Sequence, residues 1–323
     1  MIFNKPILCN YYVTLRCNSR CRYCDIWRND KYKNLREQSL EEVKTNLKDL
    51  KELGVKFIDF TGGEPLLYKD IIPALKYAKR LGFYTSITTN GSLYKKFANQ
   101  LVGLIDLLQF SLDSFDEQEH NKRRGVKCFS KVMKSIQLAK KLKQKPYVIF
   151  TIDEKNFKEL GKVIDFCSKN KIGLSTNPVF SYFNNYSFKN EKYINRLIKL
   201  FFKSCINLDL AHLEFIRSGG NNIKKPICKA LTSTIVISPD NYLLIPCFHH
   251  YFKKIKINKN LKKIHNSKEL ELLRKKVGTW EFCNHCTIFC YFGTSFLYKI
   301  FSRYFLLSVI SGIKFLFERT KIR

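Results

Sequence analysis

The sequence lacks an export signal and, in its C-terminal segment, any apolar run long enough to cross a membrane. Its first ten residues contain no apolar h-region and no cleavage site of small residues, so they are not a secretory signal. Within residues 296–323 the longest uncharged run, Tyr304–Ile313, has ten residues, which is too short to span a bilayer. We therefore expect a cytoplasmic protein.

Acidic residues are also scarce. The chain has 27 Asp and Glu against 58 Lys and Arg, which gives a formal net charge of +31. Such a charge favours an anionic partner: a membrane surface, a nucleic acid or a phosphorylated substrate. Biased codon usage is an equal explanation, because Lys, Asn, Ile, Phe and Tyr are all abundant. No aromatic-rich nucleic-acid motif is recognisable, so we do not expect nucleic acid to be the partner.

Cysteine, by contrast, is plentiful. Twelve cysteines without an export signal favour metal ligands or buried thiols in a reducing compartment over a disulfide framework. Three of them lie between residues 17 and 24, and five lie between 228 and 290. The others lie in apolar strand or helix contexts, where we expect packed thiols: Cys9, Cys128, Cys167 and Cys205.

The first group has the spacing Cys-x3-Cys-x2-Cys and comprises Cys17, Cys21 and Cys24, with the aromatic Tyr23 before the last. A short loop with this spacing can turn its thiolates toward one point. Three thiolates are one fewer than the usual complement of a [4Fe–4S] cluster, so one iron is left free to bind a small molecule. A zinc site is the alternative, although residues 25–60 offer neither His nor Cys as a fourth ligand.

This pattern resembles the cysteine motif of the radical S-adenosylmethionine (SAM) enzymes. The resemblance implies that Cys17, Cys21 and Cys24 hold a [4Fe–4S] cluster whose exposed iron binds the amino and carboxylate groups of SAM. It also implies that one electron cleaves the sulfonium and releases a 5′-deoxyadenosyl radical, which abstracts hydrogen from a substrate. The electron is expected to come from a small reductant protein of the flavodoxin or ferredoxin type.

Strand-like and helix-like segments alternate along the first two thirds of the chain. Strands are predicted at 8–16, 56–61, 84–89, 105–112, 147–152 and 172–179, and helices at 39–53, 70–81, 92–102, 128–143, 156–170 and 191–205. Ser39 and Glu42 predict a capping box at the start of the first helix, and Gly54 predicts its end. Repeated strand–helix units predict an α/β fold with a parallel sheet, and six of them suit a partial (β/α)6 TIM-like barrel. An open doubly wound sheet is the alternative.

In such a barrel the chemistry lies at the carboxyl ends of the strands, and the polar motifs of this chain fall there. Gly62-Gly63-Glu64-Pro65 follows the second strand, where paired glycines permit close approach of the backbone and a carboxylate can receive an ammonium group. An ordinary tight turn is the alternative. The segment resembles the Gly-Gly-Glu-Pro segment of radical SAM enzymes, which implies that Gly62, Gly63 and Glu64 meet the methionine amino group of SAM.

Polar residues also end the third and fourth strands. Asn90 ends the third strand, and Ser111 and Asp113 alternate at the end of the fourth, so we expect both on one face. Polar caps of the following segments are the alternative. The resemblance assigns Ser111, Asp113 and Asn90 to SAM. The basic segment 120–125 resembles one in which Arg123 holds the SAM carboxylate, with a solvated basic loop as the alternative.

The second cysteine group lies beyond the predicted barrel and comprises Cys228, Cys247, Cys283, Cys286 and Cys290. A β-hairpin with its turn at residues 239–241 is predicted to bring the first two together. Cys283 and Cys286 form a second pair with Cys-x2-Cys spacing. Together the two pairs give the four thiolates of one site. Cys290 gives five candidates for four places, and a tetrahedral zinc is the alternative occupant.

This extension resembles the twitch domain of radical SAM enzymes, a shortened form of the SPASM domain. The resemblance implies one auxiliary [4Fe–4S] cluster, because the full SPASM pattern has further cysteines and none follows Cys290. One position departs from the pattern: Asn241 stands where the turn glycine is usual, although Asn tolerates the same left-handed backbone.

Neither the barrel nor the cysteine-rich extension requires residues 296–323. At helical spacing one side carries the cations Lys299, Arg303, Lys314 and Lys321, and the opposite side carries Phe301, Phe305, Val309 and Leu316. A cationic, aromatic-rich amphipathic helix is typical of an in-plane membrane anchor. A helix packed back on the barrel, or a dimer contact, is the alternative.

We therefore expect a radical SAM core at 1–207, a twitch/SPASM-like auxiliary iron–sulfur domain at 208–292 and a basic amphipathic helix at 293–323. The leading hypothesis is a radical SAM enzyme that acts on a lipid or another membrane-associated substrate at the inner membrane face. A radical SAM peptide-maturation enzyme is the first alternative. The chain starts almost at its first strand, however, so we expect no N-terminal leader-peptide module. A basic, zinc-containing nucleic-acid-binding protein is the alternative from another class.

Overall fold

The computed structural model describes residues 5–32, 34–179, 188 and 190–322. Its strands are β1 (Leu8–Thr14), β2 (Phe57–Gly62), β3 (Tyr84–Thr89), β4 (Leu107–Ser111), β5 (Tyr147–Ile152), β6 (Gly173–Pro178), β7 (Ile206–Asn207), β8 (Thr234–Ile237), β9 (Tyr242–Ile245) and β10 (Lys253–Lys256). Its α-helices are α1 (Leu40–Glu52), α2 (Ile71–Arg80), α3 (Tyr94–Leu101), α4 (Glu117–Arg124), α5 (Phe129–Lys141), α6 (Leu160–Asn170), α7 (Glu191–Lys203), α8 (Leu210–Arg217), α9 (Leu261–His265), α10 (Lys268–Lys275), α11 (Phe289–Leu297) and α12 (Arg303–Lys321).

The strands form one mostly parallel sheet. Their order is β10-β9-β8-β1-β2-β3-β4-β5-β6-β7, and each of β1 to β7 runs parallel to its neighbours. Successive strands are adjacent and are linked by helical crossovers, which is the arrangement of a partial (β/α) barrel. The predicted α/β fold class is confirmed, and β7 adds a short seventh parallel strand to the six that the sequence predicts.

The first helix forms as its sequence predicts. The Glu42 backbone N–H donates to the Ser39 hydroxyl at 3.3 Å, and the Ser39 N–H donates to the Glu42 carboxylate at 2.9 Å, which completes the capping box. The helix buries Val43 and Leu47 completely. Gly54 follows its C-terminus with a φ of +93°, a conformation that favours glycine.

Alternation along the barrel strands separates an outer face from an inner face. Ile58, Phe60 and Ile87 point outward toward the helices and have no exposed surface. The intervening Asp59 and Ser86 point inward and are only half-buried. The hydrophobic core therefore lies between sheet and helices, while polar side chains such as Asp59 and Ser86 line the barrel interior together with Leu107 and Ile149.

The cysteine-rich extension continues the same sheet. Strand β8 pairs in parallel with β1, and β9 and β10 follow antiparallel. Asn241 has a φ of +67° at the hairpin turn, so it adopts the left-handed conformation expected of the glycine that it replaces. The sheet is thus continuous across residue 207, where the sequence places a domain boundary.

Helix α12 packs against the amino ends of the barrel strands. Lys314 donates to the Ser204 carbonyl at 2.8 Å, and Arg319 donates to the Asp106 carbonyl at 2.8 Å and to the Tyr84 hydroxyl. The alternative that the sequence left open, a helix packed back on the barrel, therefore describes α12. Lys314, assigned by the sequence to a solvated cationic side, instead satisfies a backbone carbonyl just beyond α7.

The outer side of α12 is apolar. Leu306, Ile313, Leu316 and Phe317 are each between 61% and 64% exposed. An exposed apolar side on a packed helix is unusual enough to mark a contact surface. No helix in the described ranges combines the length and apolarity needed to span a bilayer.

Candidate active site

The first cysteine group follows β1 at the carboxyl end of the strand, as the sequence predicts. Cys21 is 8% exposed, and Cys17 and Cys24 are half-buried. The Ser19 backbone N–H points at the Cys17 sulfur from 3.4 Å, and the Cys24 N–H closes a turn on the Cys21 carbonyl at 3.2 Å. These bonds fix the loop backbone around its three thiols.

The end of α4 supports this loop. The backbone N–H groups of Arg20 and Arg22 donate to the carbonyls of Arg124 and Arg123 at 2.9 and 3.0 Å. Gly125 permits this approach, because its φ is +67° and a Cβ atom there would lie 2.3 Å from the Arg20 carbonyl oxygen. The basic segment that the sequence leaves as a solvated loop or a SAM contact is therefore a helix that holds the cysteine loop.

The protonation of these thiols depends on a counter-charge. Burial raises the pKa of Cys17 to about 11 and that of Cys24 to about 12. A metal centre favours thiolate ligands by supplying positive charge, so this donor set fits an iron–sulfur cluster. Within the ranges that the structure describes, no three His, Cys, Asp or Glu side chains converge tightly enough to hold a single metal ion.

The Gly-Gly-Glu-Pro turn packs tightly on the end of β1. A Cβ atom at Gly62 would lie 1.8 Å from the Thr14 carbonyl oxygen, and one at Gly63 would lie 2.1 Å from that of Arg16. The Gly63 and Glu64 N–H groups donate to the same two carbonyls at 2.9 and 2.8 Å. The backbone carbonyls of Thr14 and Arg16 therefore leave no room for a side chain at Gly62 or Gly63. Contact of these glycines with SAM stays a prediction.

Glu64 is 1% exposed and links the turn to the end of β3. Its carboxylate accepts from the Thr89 hydroxyl at 2.7 Å, the Asn90 N–H at 2.8 Å and the Leu66 N–H at 3.2 Å. Burial raises the pKa of Glu64 to about 6 against the effect of these donors. A carboxylate has about four acceptor positions, so roughly one remains for an ammonium group.

Asn90 is committed largely to the protein. Besides its backbone bond to Glu64, its side-chain amide donates to Asn18 in the cysteine loop at 2.7 Å and accepts from the Ser92 hydroxyl at 2.6 Å. The structure thus joins Asn90 to the cysteine loop, and its assignment to SAM stays a prediction.

Asp113 lies behind the site, and its assignment to SAM stays a prediction. Strand β4 ends at Ser111, so the alternation that places both residues on one face does not reach Asp113, which has no exposed surface. Its carboxylate is paired with Arg124 at 2.8 Å and accepts from the Tyr23 hydroxyl at 2.7 Å. Arg124 in turn lies 3.6 Å from the Cys21 sulfur. Asp113 therefore supports Tyr23 and Arg124, and it has no free surface for a ribose.

Arg123 is committed to another residue of the protein, and its contact with the SAM carboxylate stays a prediction. It is 5% exposed and paired with Asp153 at 3.0 Å, which leaves its neighbour Arg124 as the guanidinium at the cysteine loop. Sequence reasoning missed Arg124, although the helical period of α4 places both arginines on its buried side. Ser111, at 7% exposure, makes no side-chain hydrogen bond within the described residues, so its hydroxyl is available to a ligand.

Four cysteines of the second group line one cavity: Cys228, Cys247, Cys283 and Cys286. Cys290 does not line it. This residue lies in the first turn of α11, and its carbonyl lies 3.5 Å from the Asn10 amide of β1. Burial and the nearby Asp59 raise the pKa of Cys290 to about 12. Cys290 thus lies outside the lining of this cavity but near Cys286, and its role as a ligand stays a prediction.

Asn221 holds the loops of this cavity together, and sequence reasoning did not single it out. Its side-chain amide donates to the Cys283 carbonyl at 3.1 Å and accepts from the Cys228 N–H at 3.4 Å. Its backbone N–H donates to the Cys286 carbonyl at 3.0 Å. One residue of 1% exposure therefore contacts the backbone at three of the four cysteines.

Comparison with known proteins agrees with this geometry. Residues 11–167 match the family model of the Radical SAM superfamily. That span contains the cysteine loop, the Gly-Gly-Glu-Pro turn and Ser111. Over this span the chain is therefore similar to the radical SAM superfamily, and its activity as an enzyme of that type is taken up as a proposal below.

Particular relatives share this domain. The probable GTP 3',8-cyclase of Sulfurisphaera tokodaii is 34% identical over 154 residues, which cover 46% of this chain and 48% of that protein. The Fe-coproporphyrin III synthase of Methanosarcina barkeri is 32% identical over 173 residues, which cover 52% of this chain and 42% of that protein. The similarity thus spans about half the length of these curated relatives.

Solved structures extend the similarity to the whole fold. Streptococcus suis SuiB bound to precursor peptide SuiA matches with a TM-score of 0.66 and 20% identity, over 83% of this chain and 66% of that one. Native anSMEcpe with bound AdoMet matches with a TM-score of 0.64 and 19% identity, over 97% of this chain and 98% of that one. At such identities the likeness establishes the fold.

Proposed function

We propose that this chain cleaves SAM reductively at Cys17, Cys21 and Cys24 and uses the product to take hydrogen from a substrate in the barrel. The observation that carries the proposal is the placement of these thiols beside the Glu64 turn, at the carboxyl ends of adjacent parallel strands. A [4Fe–4S] cluster with three cysteine ligands supplies, when bound, an open iron and the electron for this cleavage.

The chain's own residues hold and orient the bound SAM. Glu64 offers one remaining acceptor position to an ammonium group, and Ser111 offers an unused hydroxyl. Asp113 and Arg124 fix the Tyr23 side chain and the cysteine loop, so the site is rigid before any ligand binds.

Replacement of Cys21 by alanine tests this proposal. After anaerobic reconstitution, we expect the Cys21→Ala variant to lose 5′-deoxyadenosine formation and about four irons per chain. Cys205→Ala, which changes a half-buried thiol remote from the cysteine loop, is the matched control and should retain both. Continued 5′-deoxyadenosine formation by Cys21→Ala would refute the assignment.

We further propose an auxiliary [4Fe–4S] cluster at Cys228, Cys247, Cys283 and Cys286. A single zinc binds sulfur at roughly 2.3 Å and would draw four thiolates together without a void. Within the described residues no three of these thiols converge on a single-ion position, which favours a larger group that bridges them. Iron and sulfide that persist in Cys21→Ala and disappear when Cys247 is also replaced would support this cluster. Zinc in place of iron in Cys21→Ala would contradict it.

Membrane association is a separate part of the proposal. The apolar outer side of α12 and a net charge of +31 favour docking on an anionic bilayer. Because α12 covers the amino ends of the strands, this docking would turn the cysteine loop away from the bilayer. The geometry therefore supports the membrane as a docking surface more than a lipid as the substrate.

Vesicle binding tests the docking surface. We expect the protein to sediment with vesicles of phosphatidylglycerol and phosphatidylcholine but not with pure phosphatidylcholine, and the Leu306→Gln/Ile313→Gln/Phe317→Gln variant to bind at least tenfold more weakly. Leu272→Gln, at another exposed leucine of 54% exposure, is the control. Equal binding by the triple variant would exclude α12 as the docking element.

Peptide maturation is the second candidate function. One solved structure of similar fold, SuiB, is bound to a precursor peptide, and the polar interior of this barrel suits a peptide better than an alkyl chain. Formation of 5′-deoxyadenosine stimulated by a peptide, and not by a lipid extract, would favour this candidate.

A further inference from the structure

The interior of the barrel carries polar side chains in register on several strands, with the apolar Leu107 and Ile149 on the same face of β4 and β5. Asn10 pairs with Asp59 and Asp59 with Ser86, across β1, β2 and β3. On the other side, Ser175 of β6 pairs with Asn207 of β7. Residues paired in a parallel sheet share a face, so these side chains line the interior opposite the buried apolar face.

The charge of this wall is opposite to that of the protein. The strands β1 to β7 contain no Lys and no Arg, although the chain has 58 of them. Asp59 is the one charged residue among these strands as the structure describes them. The barrel wall therefore offers no cation to a phosphate or carboxylate and one anion to a cation.

Asp59 has no cationic partner within the described residues. Its carboxylate accepts one hydrogen bond, from the Ser86 hydroxyl at 2.6 Å. Burial raises the pKa of Asp59 to about 6, and a cationic partner would act in the opposite direction. Carboxylates that lose part of their water are normally paired, and this half-buried one lacks a cationic partner from the described part of the chain.

Asn207 supplies an independent observation. It is 6% exposed, and neither its amide nitrogen nor its amide oxygen has a hydrogen-bond partner among the described residues. A buried amide without partners is costly, and a bound molecule that donates and accepts hydrogen bonds would satisfy it.

We infer that the barrel interior binds a polar molecule that bears an ammonium group, and that Asp59 receives this group. Asn207 hydrogen-bonds another part of the same molecule. The inference deepens the proposed function, on which it rests for the reaction, by assigning a substrate class: an amine rather than a phosphate ester or a carboxylate.

Three probes of equal length test the inference in the reconstituted holoenzyme with SAM. Cadaverine carries ammonium groups, pentanediol is its neutral counterpart, and glutarate is its anionic counterpart. We expect ligand-observed NMR to give cadaverine at least tenfold tighter binding than either other probe, and Asp59→Asn to abolish that preference. Asp165→Asn removes the same charge from the exposed face of α6 and should keep the preference.

Equal binding of the three probes by the wild type would overturn the inference without any variant. Retention of the preference by a folded Asp59→Asn would also overturn it. Two further probes distinguish the source of the amine: lysine amide represents a peptide side chain, and glucosamine represents an amino sugar. The probe that loses more affinity in Asp59→Asn identifies the source. Uncoupled formation of 5′-deoxyadenosine by the wild type, measured in the same samples, tests the proposed function separately.

Discussion

At the scale of single residues, Asn221 determines how three loops meet around the second cavity. A carboxamide both donates and accepts, so one side chain can bind the Cys283 carbonyl and the Cys228 N–H together. An aliphatic side chain at this position would leave those buried backbone groups unsatisfied. The cavity therefore depends on a residue that cannot itself be a thiolate ligand.

Replacement of Asn221 should disorder this cavity. We expect Asn221→Ala to lower the free energy of unfolding by about 3 kcal/mol, because buried donors and acceptors lose their partners. Iron bound outside the first cysteine loop should fall with it, as measured by iron analysis in the Cys21→Ala background. The adjacent, exposed Asn222→Ala should change the stability by less than about 0.5 kcal/mol. Equal effects at the two positions would contradict the role of Asn221.

His212 provides a pH test of burial. It is 3% exposed and its Nε2 lies 2.8 Å from the Thr287 carbonyl oxygen, and burial lowers its pKa to about 4. The folded state therefore binds fewer protons than the unfolded state below about pH 6.5. The stability that neutral His212 contributes is present above that pH and is lost as the pH falls toward 4.

Comparison with His212→Gln isolates this effect, since Gln keeps a donor for the carbonyl but does not titrate. Between pH 7 and pH 5 we expect the wild type to lose about 2 kcal/mol more of its unfolding free energy than the variant. Urea denaturation at both pH values measures the difference, and other titrating groups cancel. Parallel pH profiles for the two proteins would show that His212 is not held neutral.

Some residues of the candidate site could be predicted from the sequence alone, and others could not. A spacing motif identifies Cys17, Cys21 and Cys24, because local spacing places ligands on one loop. The choice between Arg123 and Arg124 depends on the helical phase of α4 and on the position of Asp153, which is distant in sequence. Such partners are set by tertiary packing, which a single sequence does not encode in its spacing.

At the scale of elements, α12 behaves differently from an ordinary amphipathic helix. Its cations Lys314 and Arg319 bind carbonyl oxygens at the amino end of the barrel. Four of its apolar residues face outward: Leu306, Ile313, Leu316 and Phe317. The helix is thus attached by hydrogen bonds that its own cations donate, in addition to the stacking of Phe315 on Tyr147 at 5.7 Å.

Arg319 should therefore contribute more to stability than a surface cation does. We expect Arg319→Ala to lower the unfolding free energy by about 2 kcal/mol, because the Asp106 carbonyl and the Tyr84 hydroxyl lose a charged donor. Lys321→Ala, which removes an exposed ion pair with Glu318, should cost less than about 0.5 kcal/mol. Urea denaturation compares them, and equal losses would mean that α12 is only loosely attached.

Element prediction from the sequence succeeds where periodicity is strong. The predicted strands at 84–89 and 147–152 coincide with β3 and β5. Helix α4 was missed because it is almost entirely polar, with His120, Arg123 and Arg124 as its buried residues. A helix without an apolar stripe has no 3.6-residue signal, and its packing on the cysteine loop is visible only in three dimensions.

At the scale of the whole molecule, the basic charge lies outside the strands of the barrel. The strands β1 to β7 carry none of the 58 Lys and Arg residues, so the net charge of +31 resides on helices, loops and the extension. Codon bias alone would not spare these strands, but burial of their outer face would. The surface therefore presents a positive field to any partner that approaches from solvent.

A positive surface should steer an acidic electron carrier. We expect reduction of the reconstituted protein by an acidic flavodoxin to slow at least tenfold between about 20 and about 500 mM salt, because the Debye length shortens to a few ångströms. Reduced methyl viologen, a small cation, provides the control and should show no such fall. Stopped-flow absorbance follows both reactions. A flavodoxin rate that is independent of salt would mean that the carrier approaches a surface region where the positive charge is not felt, and the electrostatic account of the basic exterior would fail.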